Sequence, residues 1–122
     1  MLKVKTKLKE SSIHGIGLFA DEFIAKGTLI FQEDDFTIKI KKEDLSSMDD
    51  LKIEYVKKYC YLRDGIYHCS MDNDRFTNHS EEPNVFETET ETYAAKDILP
   101  DEEITTNYES ICVEFNDKIE KK

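Results

Sequence analysis

The chain has 122 residues, 39% of them apolar and 36% charged, and a formal net charge of −10. That length allows one domain with its own core and excludes two, and no apolar run approaches the roughly 18 residues of a membrane span. The acidic balance argues against direct nucleic-acid binding, which draws on clustered Lys and Arg, and reads either as attraction for basic protein segments or as charge that keeps the protein soluble.

Leu2, Val4, Thr6 and Leu8 alternate with Lys3, Lys5, Lys7 and Lys9. A period of two predicts a half-buried strand whose lysine face also guards a sheet edge. Gly15 and Gly17 interrupt the next stretch, and Leu18-Phe19-Ala20 resumes a short apolar strand. Strands are predicted again at Thr28-Leu29-Ile30-Phe31-Gln32 and where Phe36, Ile38 and Ile40 alternate with Thr37, Lys39 and Lys41.

Between Glu43 and Lys58 one or two short helices are expected. Ser47 with Asp50 resembles a capping box, and Met48, Leu51, Tyr55 and Lys58 recur at helical spacing. Tyr59-Cys60-Tyr61-Leu62 and Ile66-Tyr67-His68-Cys69 flank Arg63-Asp64-Gly65, and Asp-Gly predicts the tight turn of a hairpin. Val85 to Ala95 alternates Glu and Thr, as a strand with one solvated acidic face would. Ala20 to Leu29 can be laid without gaps on Ala95 to Ile104, each unit reading as strand, short apolar loop, turn and strand. The fold class that results is mainly β, with minor helix.

Cys60, Cys69 and Cys112 form an odd set at irregular spacing, which points to free thiols in a reduced compartment. His68 beside Cys69, without a C-x2-C pair, lacks the ligand spacing of zinc sites, so no metal is expected. The first residues carry lysines but no apolar stretch of the secretory kind, so a cytoplasmic location is expected.

Three segments concentrate polar chemistry. His14-Gly15-Ile16-Gly17-Leu18-Phe19-Ala20 is a glycine-rich turn that reads either as an ordinary hairpin or as backbone opened to a ligand. Arg75-Phe76-Thr77-Asn78-His79-Ser80, followed by Pro83-Asn84, packs amides, an imidazole and a hydroxyl around an apolar anchor. Glu102-Glu103-Ile104-Thr105-Thr106-Asn107-Tyr108 is a strand ending in tyrosine.

In this order and separation the three segments resemble the G-x-G, R-F-x-N-H-S-x-x-P-N and E-E-[LI]-T-x-[DN]-Y motifs of SET-domain protein lysine methyltransferases, over residues 4 to 109. The resemblance implies a single SET domain with core motifs from 14 to 109 and a tail from 110 to 122. Its fold would be small curved sheets of the β-clip kind, with a C-terminal pseudoknot where the two later motifs meet. It also implies S-adenosylmethionine as cofactor, bound on one face by His14, Gly15, Ile16, Gly17, Arg75, Phe76, Asn78, His79 and Tyr108. Arg75 would lie near the methionine carboxylate, and Phe76 also reads as core. A target lysine, on a basic and possible histone-like segment, would enter from the other face.

Tyr108 and Tyr59 are the implied catalytic residues, Tyr108 beside the transferring methyl and Tyr59 in the lysine channel, a role for which Tyr61 and Tyr67 compete. Asn107 stands where many members carry Asp, and Glu81 where many carry Cys. No C-x-C-x4-C segment follows Tyr108. Ile111, Val113 and Phe115, or a second copy in a homodimer, are expected to complete the channel instead. The alternative is a catalytically weak SET-like binding or regulatory module.

Overall fold

A computed structural model describes residues 1–110, so the expectations for Ile111, Cys112, Val113 and Phe115 lie outside the described residues. Ten short strands and two helices build four small sheets. Strands β1 (Thr6–Glu10) and β2 (Ile16–Ala20) form an antiparallel pair with Leu8 opposite Leu18. The expected strand is shorter than its alternation: β1 begins at Thr6, so Lys3 and Lys5 precede it, and Leu8 is 38% exposed because the two-stranded sheet leaves this edge open. Strand β3 (Leu29–Gln32) joins a three-stranded sheet with β8 (Val85–Glu87) and β9 (Glu91–Ala94), in the order β3-β9-β8.

The continuous strand expected from Val85 to Ala95 is thus a hairpin. Its turn is closed by the Thr88 N–H to the Glu91 carbonyl at 2.8 Å and the Glu91 N–H to Thr88 Oγ1 at 3.0 Å. Threonine competes locally for backbone partners, and this breaks a pattern that strand composition alone would continue.

Strand β4 (Thr37–Lys41) leads into α1 (Lys42–Leu45) and α2 (Asp50–Tyr59), followed by β5 (Tyr61–Arg63) and β6 (Ile66–Ser70). The last two pair through a turn in which Asp64 and Gly65 have φ of 52° and 77°. Positive φ at both central residues is what the right-handed strand twist demands of so short a connection.

Two local expectations are corrected. The cap of α2 is Asp49, whose carboxylate accepts from the Lys52 N–H at 2.8 Å, and not Ser47 with Asp50. Its buried residue is Val56, while Leu51 is 79% and Tyr55 46% exposed. The helix buries only the side that meets the β5–β6 hairpin, rotated by about a quarter of a turn from the expected stripe.

The cysteine expectation is also overturned: Cys60 and Cys69 are joined in a disulfide. Cys60 ends α2 and Cys69 lies on β6, so the tight hairpin returns the chain to within 4.6 Å between their Cα atoms. Nine residues of separation hide this closeness in the sequence.

The interior has two apolar clusters. Leu18, Ile24, Ile30, Phe31, Val85, Ile98 and Ile104 anchor one, and Leu45, Val56, Leu62 and Tyr67 the other. The internal echo packs against itself in the first cluster. Ile24 and Ile98 exchange both backbone hydrogen bonds at 2.8 Å, and the turns three residues later, at Gly27 and Asp101, both have positive φ. This register is one residue away from the gapless superposition of the two segments.

Candidate functional site

The polar segments meet at β7 (Asn78–His79), which pairs in parallel with β10 (Thr105–Thr106). The C-terminal segment is held from both sides. On one side Ala20 N–H donates to the Glu102 carbonyl at 2.9 Å and Ile104 N–H to Leu18 at 2.8 Å. On the other, Ser80 N–H donates to the Thr106 carbonyl at 2.9 Å. Asn84 clamps it further: its amide nitrogen donates to the Glu103 carbonyl at 2.8 Å and its oxygen accepts from Thr105 N–H at 2.9 Å. Buried backbone requires such partners, and a short asparagine side chain supplies a donor and an acceptor together.

Asn78, 1% exposed, spends both amide protons inside the protein, on the His14 carbonyl at 3.0 Å and on Glu103 Oε2 at 2.9 Å. The same carboxylate accepts from Ser11 Oγ at 2.7 Å. Asn78 thus ties the glycine turn to the C-terminal segment. Gly15 and Gly17 differ in what their missing side chains permit. Gly15, with φ of 45°, would place a Cβ in open space, whereas at Gly17 the nearest atom would be Glu103 Oε2.

His79 supports Tyr108: its Nδ1 accepts from the Tyr108 N–H at 3.0 Å, and the two rings lie 5.1 Å apart. That acceptor role places the proton of a neutral His79 on Nε2, which faces Glu81 at 3.1 Å. Tyr108 is fully buried, and its hydroxyl donates to the Thr77 carbonyl at 2.9 Å.

Two cavities open beside this junction. The wider, of about 200 Å³, is lined by His14, Gly15, Ile16, Lys58, Tyr59, Phe76 and Asn78. The narrower, of about 40 Å³, has aromatic walls at Tyr59, Tyr61 and Tyr108 and carboxylates at Asp74, Glu87, Glu89 and Glu91. Tyr59 lines both, and its ring meets Phe76 edge-on at 5.5 Å. Of the tyrosines that compete in the sequence, Tyr59 and Tyr61 reach the narrow cavity, while Tyr67 is 3% exposed within the second apolar cluster.

The expected cofactor set is divided by this geometry. His14, Gly15, Ile16, Phe76 and Asn78 line the wide cavity, and Gly17 and His79 do not. Arg75 faces the narrow cavity, donating from Nη1 to the carbonyls of Met71 at 3.3 Å and Asp72 at 3.4 Å.

Several residues at the site are absent from the sequence reading. Glu87 turns inward from the supposedly solvated acidic face and accepts from Thr106 Oγ1 at 2.9 Å. His68, weighed in the sequence only as a zinc ligand, lines the narrow cavity, bonds Glu33 at 2.7 Å and stacks on Tyr61 with ring centroids 5.0 Å apart. Burial, with the negative charges of Glu33, Asp74 and Glu87, pushes the Tyr61 phenol well above its ordinary value of 10, against an opposing effect of Arg63. Lys58 is the last missed residue; only its place one step before Tyr59 could have pointed to it.

The family model of the SET domain matches residues 15–109, more than half of the chain. A search of curated protein sequences gives no match. Among solved structures, the chain is similar to a candidate histone methyltransferase of Plasmodium falciparum at 23% identity and a TM-score of 0.61, over 88% of this chain and 95% of that one. It is similar to a humanized mutant of the Chaetomium thermophilum Polycomb Repressive Complex 2 bound to an inhibitor, at 22% identity and a TM-score of 0.65, over 86% of this chain and 15% of that one. Apo ctPRC2 with a mutated Ezh2 gives 21% identity and a TM-score of 0.72, over 95% and 16%. The chain thus spans about a sixth of the length of the Polycomb chains, and at these identities the likeness is one of fold.

Proposed function

The chain belongs to the SET-domain family, and from that premise we propose that it is an S-adenosylmethionine-dependent protein lysine N-methyltransferase acting on a basic protein segment. The observation that carries the reading is the pair of cavities meeting at Tyr59, one with no carboxylate among its described lining residues and the other lined by four.

The wide cavity fits the cofactor on two counts. Gly15 leaves its backbone open to the space, and Phe76 and Tyr59 offer apolar faces. His14, Gly15, Ile16 and Asn78 would hold it there, with His79 supporting Tyr108 and Gly17 leaving room for Glu103. Bound S-adenosylmethionine supplies an electrophilic methyl group.

The narrow cavity suits an extended lysine side chain. Carboxylates at Asp74, Glu87, Glu89 and Glu91 attract the ammonium. The rings of Tyr59, Tyr61 and Tyr108 in its walls exclude water, and desolvation lowers the amine pKa from its ordinary value near 10.4 so that it can act as nucleophile. The Tyr108 proton is committed to the Thr77 carbonyl, which orients the phenol oxygen as acceptor for the amine N–H. Holding the amine in line at attack distance is where the rate gain arises in a displacement of this kind.

The test is transfer of a labelled methyl group onto a panel of basic proteins, read beside calorimetry with S-adenosylhomocysteine. Binding with transfer supports the enzyme; binding without transfer to any basic protein leaves a cofactor-dependent binding module; no binding ends both readings.

A further inference from the structure

We propose that Lys58 is the residue that binds the carboxylate of the cofactor's methionine half, a role the motif resemblance assigns to Arg75. The inference rests on the methyl-donor reading of the wide cavity and adds a recognition residue to it.

S-adenosylmethionine carries a carboxylate, and a carboxylate leaving water needs a cationic or multiply donating partner. Arg75 is poorly placed to be that partner. Its guanidinium lies 4.9 Å from the Phe76 ring centroid, its Nη1 is directed to the carbonyls of Met71 and Asp72, and it lines the narrow cavity and not the wide one.

Lys58 does line the wide cavity. Its Nζ sits 5.2 Å from the ring centroid of Tyr59, the side chain that separates the two cavities. The charge pattern is the second argument. In a chain with 27 Asp and Glu residues, no carboxylate among the described residues lines this cavity, and none of them pairs with Lys58. A lysine left unpaired beside a cavity, in so acidic a protein, suits an anion brought by a ligand.

The backbone supports the assignment. Lys58 is in the last turn of α2, where carbonyl ends of the helix favour a cation, and Cys60 at the helix end is tied by its disulfide to β6. The side chain therefore projects from an anchored helix end and not from a loop.

Calorimetry with two ligands tests this. S-adenosylhomocysteine carries the carboxylate; 5′-methylthioadenosine keeps the adenosine and thioether but lacks the amino-acid group. Lys58→Ala and Lys58→Met should weaken S-adenosylhomocysteine by about 10- to 100-fold, the range for a lost hydrogen bond to a charged group. The same variants should change 5′-methylthioadenosine by less than about twofold, Lys58→Arg should restore most of the loss, and Arg75→Ala should weaken the two ligands equally.

Equal weakening of both ligands by Lys58→Ala, or no weakening of either, overturns the assignment while leaving the methyl-donor reading intact. So does a carboxylate-selective loss in Arg75→Ala without one in Lys58→Ala. Failure of the wild type to bind S-adenosylhomocysteine overturns both. Thermal melts of each variant show whether a loss reflects unfolding instead of recognition, and the Lys58→Met and Lys58→Arg pair settles the matter if Lys58→Ala melts early.

Discussion

The carboxylate of Glu103 occupies the space that a side chain at Gly17 would need: a Cβ there would stand 2.3 Å from Oε2 and 2.9 Å from Cδ. The second glycine of the motif is thus explained by a residue 86 positions later, and it links the glycine turn to the segment that carries Tyr108.

Gly17→Ala is therefore expected to be destabilising. The carboxylate must withdraw from Asn78 and Ser11, and overpacking of this kind costs about 1–3 kcal/mol. Denaturant unfolding measures it. In the double variant with Glu103→Ala the obstruction is gone, so the combined loss should be smaller than the sum of the single losses. Simple additivity would show that Glu103 is not what excludes a side chain at position 17.

Tyr108→Phe keeps the ring against His79 but removes the hydroxyl that donates to Thr77. Turnover should fall by about 100-fold, as expected when a reacting group loses its positioning contact. Cofactor affinity, read by calorimetry, should stay within a fewfold. Wild-type turnover in this variant would remove the hydroxyl from the reaction.

Reduction of the Cys60–Cys69 bond should lower stability by about 2–3 kcal/mol, from the chain entropy released in a loop of this length. Unfolded without reductant, the protein should show one reactive thiol of its three cysteines. Three thiols under those conditions would mean that the bond is not formed.

Tyr61 predicts an alkaline effect. Its phenol is held protonated by burial first and by Glu33, Asp74 and Glu87 second, so its pKa is higher folded than unfolded. The unfolded chain then releases the proton first as pH rises. This contribution to stability is complete below about pH 10 and is lost above it. Unfolding midpoints of wild type and Tyr61→Phe should converge as pH rises above about 10, with the steeper decline in the wild type. Parallel curves would place Tyr61 in water.

Much of the local structure is legible in the chain. The Asp64-Gly65 turn acts between near neighbours and the structure follows it, whereas of the period-two stretch from Leu2 only the part from Thr6 onward becomes a strand. The three motifs are legible for a different reason, since their residue types and order together narrow the fold. The β8–β9 hairpin turns on the Thr88 side chain competing for local backbone partners, which strand composition hides, and the buried side of α2 follows from what packs against it.

By itself the sequence determined the family and which segments form the site, because amide, imidazole, glycine and tyrosine stand at set intervals along three stretches. Only the tertiary structure decided what each side chain does there. Gly17 makes room for Glu103, Asn78 satisfies the turn, Arg75 points into one cavity and Lys58 into the other. These relationships depend on contacts across up to about ninety residues and on competition among donors for a few buried acceptors. Spacing along the chain leaves that competition open, and folding settles it.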